Sequence, residues 1–385
     1  MTVTTPQGFR AAGVAAGIKE NGNKDLTLVV NDGPLDLAAG VFTRNKVKAA
    51  PVLWSQQVLA TGRVKAVVLN SGGANACTGP EGFQDTHATA EHVAATLGIG
   101  AVDVAVCSTG LIGARLPMDN LKAGVTAAAA QLAGTEEAGV DAATAVMTTD
   151  TVPKHAKAVR DGWALGGFAK GAGMCAPNMA TMLSVITTDA VLGQSDLDAA
   201  LRAAVHVTFN ALDVDGGTST NDTVLLLCSG ASGTEVPVGE FTAALTDLCR
   251  DLVAQLQADA EGVTKHVTIT VRGAVTDAEA EAAARVIARD NLCKTAFFGS
   301  DPNWGRIAMA VGNAPAEFDP AELDISINGV LVCEEGAAGA DRSKADLSGR
   351  DITVEVDLHA GPGSATVLTT DLSHGYVEEN SAYSS

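Results

Sequence analysis

The chain has 385 residues, of which 46% are hydrophobic and 4% aromatic, and its formal net charge at pH 7 is -20. This length accommodates two or three ordinary domains or one large one, and the acidic balance argues against binding to nucleic acid or anionic membranes. No apolar run reaches the ~18 residues of a transmembrane helix, and no secretory signal is expected at the N-terminus. The seven cysteines are widely spaced, which predicts reduced thiols in a cytoplasmic protein.

The first half of the chain alternates between strand-like and helix-like segments. In chain order, the apolar patterns predict a strand at 64–70, a helix at 80–97, a strand at 102–107, a helix at 118–133, a hairpin at 154–171, a strand at 181–190 and a helix capped by Ser195. The hairpin is expected to turn at Asp161-Gly162, because both residue types favour tight turns.

The C-terminal half continues the alternation. It predicts strands at 223–230 and 266–273, helices at 239–260 and 277–290, a hairpin turning at Asn328-Gly329, and two late strands. The 277–290 helix is expected to begin near Thr276. This order fits layers of an α/β protein rather than a strictly alternating barrel. Because no linker separates the halves, we expect them to share a core.

Three common kinds of catalytic site find little support. His87 and Glu91 share a helix face but His92 is rotated away, so a solvated helix is favoured and no metal site is expected. The glycine-rich fragment at 170–173 precedes a strand rather than a helix, which disfavours a nucleotide phosphate loop. Ser108 follows a strand, but the Gly-x-Ser-x-Gly turn of hydrolases is missing.

The two residues that follow Ser108, Thr109 and Gly110, suggest another kind of chemistry. Backbone N–H groups at the end of a strand can form an oxyanion hole, and Thr109 and Gly110 occupy such a position. The alternative is an ordinary turn that ends the strand.

Thr181 lies between a loop of small residues and a strand-like run. A threonine hydroxyl becomes a nucleophile when a base removes its proton, and the base can be its own α-amine once the preceding peptide bond is cut. A free α-amine titrates near ~7.7–8.0, which suits a general base at neutral pH. The small Ala180 would let the hydroxyl approach its carbonyl group. The alternative is that Thr181 simply begins a strand.

The stretch KGAGMCAPNMATML at 170–183 resembles the processing site of the ornithine acetyltransferase family (ArgJ, also called glutamate N-acetyltransferase). Other blocks resemble that family in the same order along nearly the whole chain: GVFTRN (40–45), LNSGGANACTG (69–79), STGLIG (108–113), MTTDTVPK (147–154), EGVTK (261–265), KTAFFGSDPNWGRIAMAVG (294–312) and DLSHGYVEENSAYSS (371–385). The resemblance implies an α/β fold, a layered α-β-β-α sandwich of the DmpA/ArgJ-like type, with an N-terminal nucleophile.

The resemblance also implies how the chain is processed and assembled, and which reaction it catalyses. Self-cleavage between Ala180 and Thr181 would give an α chain (1–180) and a β chain (181–385), intertwined in one catalytic unit and assembled as an α2β2 heterotetramer. N-acetylornithine would then acetylate Thr181 and release ornithine, and glutamate would accept the acetyl group in a ping-pong reaction. No cofactor is implied, although acetyl-CoA is a possible co-substrate.

Individual positions match the family motifs. Thr181 matches the nucleophile and Thr109 and Gly110 the oxyanion hole, whereas the residues that match substrate contacts are Thr148, Lys170, Thr181, Glu261, Asn380 and Ser385. Read without the resemblance, these contacts would be a strand hydroxyl, a surface lysine, a surface acid and a frayed C-terminal tail. Asp301, Asn303 and Arg306 are expected to form a polar network that supports the site, with Trp304 packed under it, and none of the four is assigned a contact to substrate.

Two other functions compete with this hypothesis. A self-processing aminopeptidase or amidohydrolase would use the same nucleophile but would pass the acyl group to water. A non-catalytic binding protein would remain a single chain with Thr181 internal.

Overall fold

A computed structural model describes residues 2–174 and 182–382 of the chain. The described residues divide into two compact units. The first unit comprises the residues up to 210 together with 218–256, and the second comprises 211–217 and the residues from 257 onward. No helix within these described ranges is long and apolar enough to cross a membrane.

The first unit contains nine strands and six α-helices within its described residues. In chain order they are β1 (Phe9–Val14), β2 (Leu26–Asn31), β3 (Leu37–Phe42), α1 (Ala50–Leu59), β4 (Ala66–Gly73), α2 (Gly79–Leu97), β5 (Val104–Leu111), α3 (Met118–Gln131), α4 (Glu136–Ala145), β6 (Lys154–Arg160), β7 (Trp163–Lys170), β8 (Leu183–Thr188), α5 (Gln194–His206), β9 (Thr223–Cys228) and α6 (Val238–Ala258). The last helix extends two residues into the second unit.

Two mixed sheets organise the first unit. One has the strand order β1-β2-β4-β5 and the other β3-β9-β8-β7-β6. The pairs β4/β5 and β8/β9 are parallel, whereas β7 and β8 are antiparallel, with Lys170 opposite Leu183. Every residue of β2, β7, β8 and β9 is buried, as expected for strands covered on both faces.

Residues of both sheets join one hydrophobic core in this unit. Phe168 of β7 and Leu183 of β8 belong to the same buried cluster as Leu28 and Val106 of the other sheet. Positions on either side of the predicted cleavage point therefore share a core. The second unit has a separate cluster of its own.

The second unit is built on one six-stranded sheet. Its elements are β10 (His266–Ala274), α7 (Asp277–Arg289), α8 (Asn291–Phe298), α9 (Trp304–Val311), β11 (Asp324–Ile327), β12 (Val330–Glu334), β13 (Ala337–Ala338), β14 (Asp351–Asp357), β15 (Gly363–Thr370) and α10 (His374–Ala382). The strand order is β13-β12-β11-β14-β10-β15. Burial alternates along β10 and β14, so one face of this sheet packs on the core and the other faces solvent.

The mixed sheets with packed helices confirm the predicted α/β class. Both predicted hairpins are confirmed: Arg160 pairs with Trp163 across Asp161-Gly162, and Ile327 pairs with Val330 across Asn328-Gly329. The predicted cap at Ser195 is wrong, because α5 begins at Gln194 and its N-cap residue is Gly193, without a side-chain cap.

Candidate active site

The predicted oxyanion pair lies at the C-terminal end of β5. Thr109 is 1% exposed, and Gly110 has φ 121°. A Cβ added to Gly110 would lie 2.6 Å from the backbone nitrogen of Gly73, closer than a Cβ atom approaches a non-bonded heavy atom. The close passage of β4 beside β5 and the positive φ therefore both require glycine at 110.

Lys170 brings three of the predicted residues together. Its side chain lies at the end of β7, and the residue is 1% exposed. The Nζ atom donates to Thr109 Oγ1 at 3.2 Å and to Thr148 Oγ1 at 2.8 Å. Lys170 is thus not the solvated hairpin lysine of the alternative interpretation, and Thr148 is not an isolated strand hydroxyl.

Asp150 is a central residue of this cluster that the sequence analysis missed. Its carboxylate accepts hydrogen bonds from Lys154 Nζ at 2.6 Å, Gly171 N at 2.7 Å and Thr148 N at 2.9 Å. Burial acts to raise the pKa of the Asp150 carboxyl, but the charges of Lys170 and Lys154 and the hydrogen bonds from Lys154 and Gly171 lower it to about 2. The ionised carboxylate ties the 148–154 segment to Gly171, the residue after Lys170.

A third lysine approaches the cluster from the N-terminal region. Both oxygens of the buried Asp25 accept backbone N–H groups, from Ala16, Ile18 and Lys19, and hold that loop. Lys19 Nζ donates to Met147 O at 2.6 Å. Burial, opposed by Asp25 and supported by the charge of Lys170, lowers the pKa of Lys19. The lysines near Asp150 make this region suitable for an anionic group such as a substrate carboxylate.

Asn221 and Asp222, immediately before β9, were also missed. Asn221 Nδ2 donates to Ser108 O at 2.8 Å and to Ala74 O at 2.6 Å, which ties it to the strand that bears Thr109. Asp222 Oδ1 accepts the backbone N–H of Met182 at 3.0 Å. A signal was available in the polar run TSTND at 218–222, which directly precedes the apolar strand.

Two further residues that were predicted to contact substrate, Glu261 and Asn380, lie together within the second unit. Asn380 Nδ2, on α10, donates to Glu261 Oε2 at 2.8 Å. The helix passes close to this segment, since a Cβ on Gly262 would lie 2.0 Å from Tyr376 N. Asn380 is exposed but held in place, which differs from the frayed tail of the alternative interpretation.

The remaining predictions have mixed outcomes. Asn303 caps α9 by accepting the Arg306 N–H at 3.3 Å, and its Nδ2 donates to Asp301 at 2.9 Å, so these two side chains form a polar helix cap in the second unit. The Arg306 guanidinium instead donates to Leu292 O at 2.8 Å. Ala180, Thr181 and Ser385 lie outside the described residues. Among the described residues, no group of three or more candidate metal ligands comes together.

Comparisons with known proteins extend over nearly the whole chain. The model of the ArgJ family matches residues 10–385. The arginine biosynthesis bifunctional protein ArgJ of Mycolicibacterium paratuberculosis is 62% identical, over 100% of this chain and 96% of its own length. The protein of that name from Thermobifida fusca is 59% identical over 100% of both chains. A solved ornithine acetyltransferase, complexed with ornithine, from Mycobacterium tuberculosis is 62% identical, with a TM-score of 0.46 over 47% of this chain and 96% of that chain.

Proposed function

The chain belongs to the ArgJ family of arginine biosynthesis enzymes, and we propose that it transfers the acetyl group of N-acetylornithine to glutamate. The observation that carries this proposal is the contact of Lys170 with both Thr109 and Thr148. It joins an expected oxyanion-hole residue to two expected substrate contacts in one buried cluster. The reaction needs these parts near one reacting carbonyl carbon.

The first proposed step is self-cleavage between Ala180 and Thr181. The Thr181 hydroxyl attacks the Ala180 carbonyl carbon, the peptide C–N bond breaks, and the Thr181 nitrogen takes a proton as it leaves. Water then hydrolyses the resulting ester. The predicted chains, 1–180 and 181–385, would stay together, because β7 and β8 on either side of the cut pair in one sheet.

The second proposed step is acetylation of Thr181. Its free α-amine removes the hydroxyl proton, and the oxygen attacks the acetyl carbonyl carbon of N-acetylornithine. Backbone N–H groups of Thr109 and Gly110 stabilise the negative charge on the tetrahedral intermediate. The C–N bond then breaks, ornithine leaves with the proton, and the acetyl group remains on Thr181 as an ester.

Glutamate reverses these steps. Its amine attacks the ester, the intermediate forms again at the same oxyanion hole, and N-acetylglutamate leaves with Thr181 restored. Ornithine and glutamate both carry an α-carboxylate, which Lys170 and Thr148 are suited to bind. We assign substrate contacts to Glu261, Asn380 and Ser385 as well, with the Glu261 carboxylate suited to an amine.

Mass spectrometry of the purified protein tests this scheme. Two chains are expected, and treatment with N-acetylornithine should add one acetyl group, about 42 Da, to the chain that starts at Thr181. An intact chain would contradict self-cleavage, and a β chain that stays unmodified would contradict the acetyl-Thr181 intermediate. Deletion of residues 380–385 should abolish transfer.

The acetyl acceptor separates the proposed transferase from a hydrolase. Release of ornithine should depend on glutamate after the first turnover, whereas a self-processing amidohydrolase would release it at the same rate without glutamate. We further propose acetyl-CoA as a second acetyl donor and an α2β2 assembly. Formation of N-acetylglutamate from acetyl-CoA and glutamate, and the mass in solution, test these two points.

A further inference from the structure

Lys19 lies next to the strand that pairs with the predicted oxyanion residues. A Cβ added to Gly72 would lie 3.2 Å from Lys19 Cγ, so the stem of the lysine runs close to that glycine. Gly72 is aligned with Gly110 in the ladder between β4 and β5. The stem of Lys19 therefore packs beside the residue that pairs with an expected oxyanion donor.

The ammonium group of Lys19 reaches the residue that precedes Thr148. Its Nζ atom donates to Met147 O at 2.6 Å and to Lys24 O at 3.3 Å. Lys170 Nζ donates to Thr148 Oγ1 at 2.8 Å. Two ammonium groups thus contact consecutive residues. Burial lowers the pKa of Lys19, and the charge of Lys170 adds to this effect, as expected for two cations that lie close together.

Lys19 forms no ion pair within residues 2–174 and 182–382. The charges of Asp25 and Asp150 act to raise its pKa, but Asp25 accepts backbone N–H groups and Asp150 Oδ1 pairs with Lys154. An ammonium group has three N–H donors, and carbonyl groups accept two of those of Lys19. A bound anion would supply an acceptor for the third and a counter-charge for the group.

The loop that carries Lys19 is held without any contribution from its ammonium group. The carboxylate of Asp25, which is 0% exposed, accepts the backbone N–H of Ile18 at 2.6 Å and that of Lys19 at 2.9 Å. From the other side, Asn120 Nδ2 donates to Gly17 O at 2.7 Å. Because the backbone is already fixed, binding of an anion by Lys19 does not require the loop to be ordered first.

We propose that Lys19 is a further substrate-binding residue, whose ammonium group binds the α-carboxylate of N-acetylornithine and of glutamate together with Lys170. The inference rests on the proposed function, because these are its proposed acetyl donor and acceptor. Each ammonium group donates to one carboxylate oxygen. The negative charge between the two cations also offsets their mutual repulsion.

The α-carboxylate is the anionic group that both substrates share. The side chain of N-acetylornithine ends in an ammonium group, which two lysines repel, whereas that of glutamate ends in a carboxylate. A site that binds both molecules in one orientation therefore uses its lysines for the α-carboxylate. This orientation also fixes the nitrogen on the same α-carbon, which carries the acetyl group in the donor and receives it in the acceptor.

The test measures which carboxylate of the acceptor Lys19 recognises. Acetyl transfer is followed to glutamate, to isoglutamine, whose α-carboxylate is an amide, and to glutamine, whose side-chain carboxylate is an amide. In Lys19→Met the preference in kcat/KM for glutamate over isoglutamine should fall by about tenfold or more, through loss of a charge-assisted hydrogen bond. The preference over glutamine should stay unchanged. An analogue that accepts too slowly is measured as a competitive inhibitor of glutamate.

Lys24→Met is the matched control. Lys24 belongs to the same region of the chain, and its ammonium group pairs with Asp141. Its backbone carbonyl, which accepts a hydrogen bond from Lys19, is retained in the variant. Both acceptor preferences should therefore equal those of the wild type.

The outcomes separate this inference from the proposed function. A wild type that transfers no acetyl group from N-acetylornithine to glutamate overturns both. A Lys19→Met enzyme that keeps the wild-type preference over isoglutamine overturns this inference alone, even if it is slower or less stable, because a purely structural lysine would weaken transfer to all three acceptors alike. Loss of the preference over glutamine instead would assign Lys19 to the side-chain carboxylate and would also overturn it.

A second variant and a labelling experiment apply if Lys19→Met does not fold. Lys19→Gln keeps a donor for Met147 O without the charge and should lose the same preference. Should neither variant fold, reductive methylation of wild-type lysines is followed by mass spectrometry with and without N-acetylglutamate. At about ten times its dissociation constant, N-acetylglutamate should slow methylation of Lys19 by about tenfold and leave that of Lys24 unchanged. An unprotected Lys19 refutes the inference.

Discussion

Replacing Asp150 with asparagine should strongly destabilise the first unit. The side chains of Asp150 and Lys154 are both 0% exposed, and removing one partner of a buried ion pair typically costs ~3–5 kcal/mol. The pKa gives a second measure: lowering it from the ordinary 3.8 to about 2 corresponds to about 2.4 kcal/mol at 1.36 kcal/mol per unit. We therefore expect Asp150→Asn to lower the free energy of unfolding by about 2–5 kcal/mol at pH 7.

The sign of the pH dependence follows from the lowered pKa. The stabilisation from the ionised Asp150 is fully present above about pH 4 and is lost as the pH falls through about 2. The difference in free energy of unfolding between wild type and Asp150→Asn, measured by urea unfolding, should therefore become smaller as the pH falls from about 4 to about 2.

An exposed ion pair and a double variant provide controls for this measurement. The side chains of Arg202 and Asp198 are 61% and 39% exposed, so Asp198→Asn should cost less than ~1 kcal/mol. The double variant Asp150→Asn/Lys154→Met should lose less free energy of unfolding than the sum of the losses in the two single variants, because the two residues interact. An Asp150→Asn protein as stable as Asp198→Asn would refute the assigned role of the buried pair.

Three further predictions concern the proposed reaction and the C-terminal helix. Gly110→Ala places a Cβ 2.6 Å from Gly73 N and should lower kcat for acetyl transfer by about 10²–10³-fold, because the Gly110 N–H is displaced from the oxyanion hole. An unchanged kcat would contradict the assignment of Gly110 to the oxyanion hole. Lys170→Met should raise KM for glutamate by about 10–100-fold through loss of a charge-assisted hydrogen bond, and an unaltered KM in steady-state assays would contradict its role. Asn380→Asp would set a carboxylate against Glu261 in place of a donor at 2.8 Å, so α10 should exchange amide hydrogens faster than in the wild type; an unchanged exchange rate would contradict the role of this hydrogen bond in holding α10.

Tight turns and long helices were predictable from the sequence because their signals are local. Gly162 and both central residues of the Asn328-Gly329 turn have positive φ, which these residue types tolerate. The first and third strands were not predicted, because FRAAGV and LAAGVF are short and rich in alanine and glycine and show neither strand nor helix periodicity. The second strand, LTLVVN, was missed although its apolar, β-branched run is typical of a buried strand. Ser195 failed as a cap because α5 starts at Gln194, which places the N-cap position at Gly193, two residues before Ser195.

The cluster around Lys170 was predictable only through resemblance. Thr109, Thr148 and Lys170 come from distant segments, and no local pattern shows that they meet. Asp150 and Asp222 were missed for a related reason: an acidic residue in a polar run usually faces solvent. Their burial results from the packing of strands and loops that are far apart in sequence.

The pairing of β7 with β8 has a consequence for how the mature enzyme would refold. Before cleavage, the connection between Lys170 and Leu183 keeps the two strands at high effective concentration, so folding is unimolecular. After cleavage the same ladder must form between separate polypeptides, and β8 also has to reach its position between β7 and β9. Recovery from denaturation would then be second order, and the melting temperature would rise with protein concentration. The precursor and the mature enzyme would thus share a fold but differ in reversibility.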